Sequence, residues 1–191
     1  MKLALVPCAA TEWHVAGRLL GRAELSPGPG AAEQYAAWGA AIAPLTPGRV
    51  LHSPDGLAAE TARALARPLK ATVRSVDDLA EVDLGVWAGL TDEQLSTRFA
   101  SAYRQLDESP LSVTPPDGEN LGQARQRLAR ALQRATRNMK RNVAVVLRPV
   151  ALALLVQELT GLPEEQVWEA RRRDEPLILD YPPSKAEPPA G

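Results

Sequence analysis

The chain has 191 residues, of which 45% are hydrophobic and 24% are charged, and its formal net charge is −1. These values fit a globular protein with a sizeable core and exclude a protein whose whole surface attracts polyanions. One cysteine excludes an intrachain disulfide, which fits a reducing cytoplasm, and two histidines are too few for a structural zinc site. We therefore expect a cytoplasmic protein without metal or cofactor, and no apolar stretch predicts a secretory signal or a membrane span.

Short apolar runs alternate with helical patterns along the chain. In chain order, the pattern predicts a strand at 2–6, a helix at 31–45, a strand at 49–52, a helix at 55–69, a strand at 71–76, helices at 91–106 and 119–141, a strand at 143–147, helices at 150–160 and 163–173, and a strand at 177–181. The runs are rich in Val and Leu, which is typical of strands buried on both faces. This alternation predicts a layered α/β fold.

Capping residues and composition set the limits of these elements. Asp55 is a good N-cap for one helix, and Thr91 with Gln94 forms a capping box at the start of another. We expect a single domain over 1–181, followed by a disordered Pro-rich tail over 182–191.

Five short motifs occur in a fixed order along the chain. They are LVPCAATEWHVAGRLLG at 5–21, SPDGLAAETA at 53–62, LAEVDLGVWAGL at 79–90, PPDGEN at 115–120 and NVAVVLRPVALALLVQELTGLP at 142–163. In order and spacing they resemble the motifs of the histidine phosphatase superfamily, the phosphoglycerate mutase-like proteins. The first resembles that family's Arg-His-Gly-Glu-Thr strand and turn, and the last has the shape of its late strand, Ser-His-Gly-Gly turn and helix.

The resemblance implies a three-layer fold with a mostly parallel central sheet and helices on both faces. It places the site at the carboxyl ends of the strands, which is also the general rule for open α/β sheets. It further implies phosphoryl transfer through a phosphohistidine, with no metal required. This chemistry needs a nucleophilic imidazole, cations that hold the phosphoryl oxygens, and an acid for the leaving group.

The positions that carry this chemistry in the family hold other residues here. The resemblance places Cys8 at the nucleophilic histidine, Pro7 at its neighbouring arginine, Leu57 at the second-motif arginine and Arg148 at the late histidine. Glu81 matches the general acid proposed in some branches of the family. Because the imidazoles and most of the positive charge are missing, we expect no competent catalytic residue.

A few polar residues of the pattern remain. Thr11 and Arg18 match residues at the rim of the family's pocket, and with Arg148 they are the candidates for anion binding. Two interpretations of Arg148 stay open, because it either binds an anion or pairs with a neighbouring carboxylate, Glu81 or Glu119. Cys8 is interpreted as a packing residue at the end of a strand.

Three functional hypotheses follow. The first is an inactive member of the family, a pseudoenzyme, with a binding or regulatory role toward a phosphorylated small molecule or a protein partner. The second is a residual phosphohydrolase that uses Cys8 with Glu81 and Arg148. The third is an interaction protein that docks through the Arg-rich helix at 119–141. Lack of aromatic residues in that helix argues against nucleic acid, a membrane partner is not expected, and the oligomeric state stays open.

Overall fold

The computed structural model describes residues 1–182, in which one sheet is flanked by helices. The strands are β1 (Lys2–Pro7), β2 (Arg49–His52), β3 (Thr72–Ser75), β4 (Val143–Leu147) and β5 (Leu177–Asp180). The helices are α1 (Glu12–Val15), α2 (Ala31–Ile42), α3 (Gly56–Leu69), α4 (Asp92–Arg98), α5 (Ala100–Glu108), α6 (Leu121–Thr136), α7 (Pro149–Thr160) and α8 (Val167–Ala170). The tail predicted for 182–191 lies outside the described residues from residue 183 onward.

The sheet has the strand order β3-β2-β4-β1-β5. Strand β4 pairs in parallel with both β1 and β2, and β2 pairs in parallel with β3. Only β5, among the strands of residues 1–182, runs antiparallel to its neighbour β1. The mostly parallel α/β fold predicted from the sequence is therefore confirmed, and the carboxyl ends of β1, β2 and β4 meet at one edge.

The alternation of side chains along β1 divides the core into two layers. Leu3 and Leu5 pack on one face in a cluster that includes residues of α6 and α7. Ala4 and Val6 pack on the other face in a cluster that includes residues of α2 and α3. Because both faces of the central strands are covered, β4 is buried along its whole length, whereas the edge strand β3 is exposed.

Three predicted helices have different limits in the structure. The helix predicted at 91–106 is divided at Phe99, whose backbone leaves the helical region and whose ring packs 6.0 Å from that of Trp87. The helix predicted at 119–141 ends at Thr136, because the following segment turns toward β4, where the Asn142 side chain donates to the Leu45 carbonyl at 2.7 Å. The region at 163–173 forms a 3₁₀ turn and the short α8.

None of the helices within residues 1–182 is both long enough and apolar enough to cross a membrane.

Two of the sequence motifs meet at Gly85. Its φ is +50°, and a Cβ atom added there would lie 2.0 Å from the Pro116 carbonyl oxygen. The Val86 amide donates to that same oxygen at 3.2 Å, and the Glu119 amide donates to the Asp83 carbonyl at 2.8 Å. This contact holds the 79–90 segment, which carries Glu81, against the 115–120 loop, and it requires a residue without a side chain at position 85.

We expect Gly85→Ala to destabilise the protein far more than Gly161→Ala. Both glycines have positive φ, but nothing lies within 4 Å of a Cβ added at Gly161. The control Gly161→Ala should therefore lower the free energy of unfolding only by the cost of placing alanine in the left-handed region, roughly 1–2 kcal/mol. Gly85→Ala should lower it by at least about twice that amount, because the 115–118 backbone must also move. Urea denaturation of both variants measures the difference, and equal losses would contradict a close contact at Gly85.

Candidate functional site

The residues at the family's catalytic positions gather at the carboxyl edge of the sheet. Pro7 ends β1, Leu57 lies in the first turn of α3 after β2, and Arg148 follows β4 directly. The Cys8 amide donates to the Leu147 carbonyl at 2.8 Å, which extends the pairing of β1 with β4 by one residue. The topology therefore brings these positions together, although they are far apart in the chain.

A cavity of about 620 Å³ lies beside this edge. Its lining includes Pro7, Cys8 and Glu81 on the sheet side and Arg18 at the mouth, but neither Leu57 nor Arg148. Further lining residues come from α2 and from the segment after α8, among them Gln34, Trp38, Arg171, Arg172, Arg173 and Asp174. The volume is suited to a small organic molecule.

Cys8 is only 3% exposed, although its surface reaches the cavity. Burial raises the pKa of its thiol to about 12, and the nearby Arg148 guanidinium offsets only part of this effect. The side chain packs in the same apolar cluster as Val6 and Leu57. The thiol is therefore neutral at physiological pH, in surroundings that do not stabilise a thiolate.

Leu57 is fully buried in this cluster. Its carbonyl accepts a hydrogen bond from the Thr61 hydroxyl at 2.9 Å, and the Thr61 oxygen accepts one from the Ala9 amide at 3.1 Å. The first turn of α3 is thus bonded directly to the residues after β1. An aliphatic side chain fills the position that the resemblance assigns to a phosphate-binding arginine.

Arg148 is 1% exposed, and its guanidinium is bonded within the protein. Nη1 donates to the Gly21 carbonyl at 2.9 Å and Nη2 to the Ala23 carbonyl at 2.8 Å. Nε lies 3.5 Å from Asp55 Oδ1, which forms an ion pair without a hydrogen bond. Arg148 therefore faces two carbonyl oxygens from the 21–23 segment and a carboxylate from the turn between β2 and α3.

This pairing corrects the expectation that the carboxylate partner of Arg148 is Glu81 or Glu119. Asp55 follows β2, which lies next to β4 in the sheet, so its side chain reaches the residue that follows β4. Glu119 instead forms a bidentate pair with Arg127, at 2.8 and 2.7 Å. Asp55 was recognised in the sequence only as an N-cap, a role it also fills by accepting from the Ala58 amide at 3.0 Å.

Glu81 is buried, and its carboxyl group meets the start of α7. Oε1 accepts from the Ala151 amide at 2.7 Å and from the Val82 amide at 2.7 Å, and Oε2 accepts from the Val150 amide at 3.0 Å. Burial raises the pKa of this carboxyl to about 7, while the three amides and the charge of Arg148 act in the opposite direction. Glu81 thus occupies the anion position that a helix N-terminus offers.

The two retained rim residues serve the local fold. Thr11 is buried and caps α1, where its amide and hydroxyl contact His14 Nδ1 at 3.0 and 3.1 Å. Arg18 is exposed at the cavity mouth and donates to the Gly89 carbonyl at 2.6 Å. Burial, together with the charge of Arg148, lowers the pKa of His14 to about 4, so this imidazole is neutral at physiological pH.

Several residues of the cavity were not predicted to belong to a site. Gln34 belongs to no capping pattern or sequence motif, but its Oε1 accepts a hydrogen bond from the Ala10 amide at 2.9 Å. Trp38 donates through Nε1 to the Asp174 carbonyl at 2.9 Å and so joins α2 to the segment after α8. Arg171 and Arg172 both pair with Asp92, which neutralises part of the positive charge at the mouth.

Within residues 1–182, no group of three or more His, Cys, Asp or Glu side chains is placed to hold a metal ion. The functional groups gathered at the carboxyl edge are the neutral thiol of Cys8, the buried carboxyl group of Glu81 and the guanidinium of Arg148, which is bonded to protein atoms.

Comparison with known proteins agrees with this geometry. The profile of the histidine phosphatase superfamily (branch 1) matches residues 3–175. The bifunctional protein Rv2228c of Mycobacterium tuberculosis and the uncharacterized protein Mb2253c of Mycobacterium bovis are each 37% identical over 81 residues, which is 42% of this chain and 22% of theirs. The match thus spans about a fifth of the length of these curated relatives.

Solved structures with the same fold include three bacterial proteins. Bacillus stearothermophilus YhfR is 23% identical with a TM-score of 0.77, covering 87% of this chain and 83% of its own. Mycobacterial glucosyl-3-phosphoglycerate phosphatase is 23% identical with a TM-score of 0.76 and coverages of 87% and 85%. Alpha-ribazole phosphatase from Shigella flexneri is 25% identical with a TM-score of 0.73 and coverages of 88% and 84%. From the strand order, the site at the carboxyl edge and the family profile along most of its length, the chain belongs to the histidine phosphatase superfamily.

Proposed function

We propose that this chain is a catalytically inactive member of the superfamily that binds a small molecule in the cavity without turning it over. The observation that carries the proposal is the bonding of Arg148 to Gly21, Ala23 and Asp55. Arg148 is the only cation among the four positions that match the family's nucleophile and phosphate pocket. A phosphoryl group would have to displace these internal partners, and no second guanidinium is present at position 57 to share its charge.

The state of the thiol supports the same conclusion. Burial raises the pKa of the Cys8 thiol to about 12, so the thiol is protonated at pH 7. Cysteine nucleophiles require a strongly lowered pKa, supplied by nearby cations or a helix N-terminus. Here the N-terminus of α7, which follows the neighbouring strand β4, is occupied by the Glu81 carboxyl group.

A residual phosphohydrolase is the second candidate function, and one observation favours it. Glu81 lines the same cavity as Cys8, and its pKa of about 7 is suited to a general acid at neutral pH. However, both of its carboxyl oxygens accept hydrogen bonds from backbone amides, which suits a structural carboxylate at the start of α7. An acid does not complete the reaction when the thiol is not ionised and the Arg148 guanidinium is already bonded to protein oxygens.

Docking through the Arg-rich helix receives less support. The side chains of Arg125, Arg127 and Arg134 pair with Glu158, Glu119 and Asp78 of the same chain. These pairs reduce the net positive field that the exposed face of α6 offers to an acidic partner.

The ligand that we propose is a phosphorylated or otherwise anionic small molecule held from the rim. Arg18 and Arg173 line the cavity and form no ion pair within residues 1–182, whereas the sheet side is formed by Pro7, Cys8 and the buried carboxyl group of Glu81, whose oxygens accept from backbone amides. An anionic group would contact the rim arginines and an apolar part would contact Pro7 and Cys8.

We expect the wild-type protein to release no phosphate from p-nitrophenyl phosphate or from sugar phosphates above the background of a mock purification, because it lacks a nucleophile. Cys8→Ala serves as the matched variant and should give the same background. Hydrolysis by the wild type that Cys8→Ala abolishes, with an unchanged circular dichroism spectrum, would instead establish the residual phosphohydrolase.

Soaking crystals in orthovanadate tests the anion site directly. We expect no vanadate beside Arg148, because its guanidinium is 1% exposed and bonded to protein oxygens. Anion density at the Arg148 guanidinium, with Asp55 displaced, would overturn the proposal; density at Arg18 or Arg173 would agree with binding from the rim.

The role of Glu81 predicts a pH dependence of stability. Because its pKa is raised above the value of about 4.5 in the unfolded chain, the native state binds more protons between about pH 5 and pH 7, and its stability falls as the pH rises through this window. As the pH rises, the free energy of unfolding of the wild type should fall relative to that of Glu81→Gln, with a slope that approaches about 1 kcal/mol per pH unit.

Urea denaturation of both proteins from about pH 5 to pH 8 measures this difference. The free energy of unfolding of Glu81→Gln must be subtracted from that of the wild type, because the lowered pKa of His14 makes stability rise over nearly the same pH range. Both proteins retain His14, so its contribution cancels in the difference. A difference that stays constant with pH would mean that Glu81 does not titrate near neutrality.

A further inference from the structure

A second cleft, of about 450 Å³, lies at the amino-terminal edge of the sheet, opposite the cavity described above. It is bounded by the starts of β2, β3 and β4 and by the segment that joins α6 to β4. Its lining contains no acidic residue and five cationic residues, which define what we call the basic cleft: Arg49, Arg74, Arg134, Lys140 and Arg141.

The sheet supplies one wall of the basic cleft. Arg49 pairs with Thr72 in the parallel register, and its Nε donates to the Thr72 hydroxyl at 3.2 Å. Arg74 lies two residues beyond Thr72, so its side chain projects from the same face of the sheet. Its register partner, Leu51, packs in the cluster that contains residues of α6, which identifies this as the α6 side of the sheet.

The segment after α6 supplies the other wall. A Cβ added at Gly48 would lie 3.0 Å from Arg141 Nε and 3.2 Å from its Cζ, so the glycine allows the Arg141 side chain to lie across the start of β2. Asn142 fixes the segment on both sides, since it accepts from the Lys2 amide and donates to the Leu45 carbonyl, each at 2.7 Å. The cations of this wall are therefore carried by an anchored segment.

The positive charge of the basic cleft is compensated only in part. Arg134 pairs with Asp78, but Arg49, Arg74, Lys140 and Arg141 have no ion pair within residues 1–182. The C-terminus of α6 contributes roughly half a negative charge, far less than these four cations carry. A chain with a net charge of −1 thus concentrates positive charge in one concave site.

We propose that the basic cleft binds a small molecule that carries a chain of two or more phosphate groups. Guanidinium groups bind phosphate oxygens in pairs, and several neighbouring cations favour a ligand with several adjacent negative charges. The volume is in the range of small-ligand sites. No aromatic residue lines the cleft, so it lacks the stacking platforms typical of sites for single-stranded nucleic acid.

The test is calorimetric titration of the full chain with sodium tripolyphosphate, at low and at physiological salt. Saturable binding is expected, with an affinity that falls as salt is added. The double variant Lys140→Glu/Arg141→Glu should weaken binding about tenfold or more, as expected when charge-assisted contacts are lost. The matched control, Arg63→Glu/Arg104→Glu, makes the same charge change at exposed positions outside both cavities and should bind within about twofold of the wild type.

Titration with a nucleotide shows whether the cleft recognises only the phosphate groups or also the organic part of a ligand. Adenosine triphosphate that binds as tightly as tripolyphosphate indicates recognition of the phosphates alone, and tighter binding indicates added contacts to the organic part; both support the proposal. If the double variant fails to fold by circular dichroism, Arg74→Gln, a neutral change on the exposed strand β3, replaces it.

Three outcomes would overturn the proposal. They are the absence of saturable tripolyphosphate binding, an equal loss of affinity in the control, and binding of a short single-stranded RNA that depends on Lys140 and Arg141 when tripolyphosphate does not bind. Because the basic cleft is at the opposite edge of the sheet, none of these results bears on whether the other cavity is catalytically inactive.

Discussion

The buried charge of Arg148 is the constraint on which the carboxyl edge of the sheet depends. A cation that is 1% exposed is costly unless its charge and its hydrogen-bond donors are compensated within the protein. Gly21 and Ala23 supply two carbonyl oxygens, and Asp55 supplies the negative charge. As a result, the 21–23 segment and the β2–α3 turn are both held at the end of β4 by one guanidinium, with no external anion required.

Glu81 completes this arrangement from the other side. The first free amides of α7 carry partial positive charge, and in phosphate-binding proteins such amides commonly hold the ligand. Here the Val150 and Ala151 amides donate to the carboxyl group of Glu81. The two features that would attract a phosphoryl group, a guanidinium and a helix N-terminus, are therefore both satisfied by the chain itself, which is the physical basis for proposing a silent site.

Sequence patterns predicted the strands and helices well where burial alone determines the structure. They predicted features of the site only where the interacting residues are close together in the chain. The runs at Lys2–Pro7 and Val143–Leu147 are buried on both faces, so continuous apolar composition identifies them as parallel strands. The break at Phe99 was missed because it depends on packing against Trp87, and the partner of Arg148 was missed because β2 and β4 become neighbours only in the sheet. Contacts between distant segments leave no periodic signal, although the capping pattern did locate Asp55 itself.

The residues at the four family positions are also coupled to one another. Cys8 and Leu57 pack in one apolar cluster, and burial in these surroundings is what keeps the thiol neutral. An arginine introduced at position 57 alone would bury a second cation in the same region as Arg148, where the Asp55 carboxylate is already paired with Arg148. A histidine introduced at position 8 alone would meet an aliphatic wall instead of phosphate-binding cations. Because Cys8 and Leu57 share one apolar cluster and Arg148 is paired with Asp55, the proposal of a silent site rests on this combination of residues and not on position 8 alone.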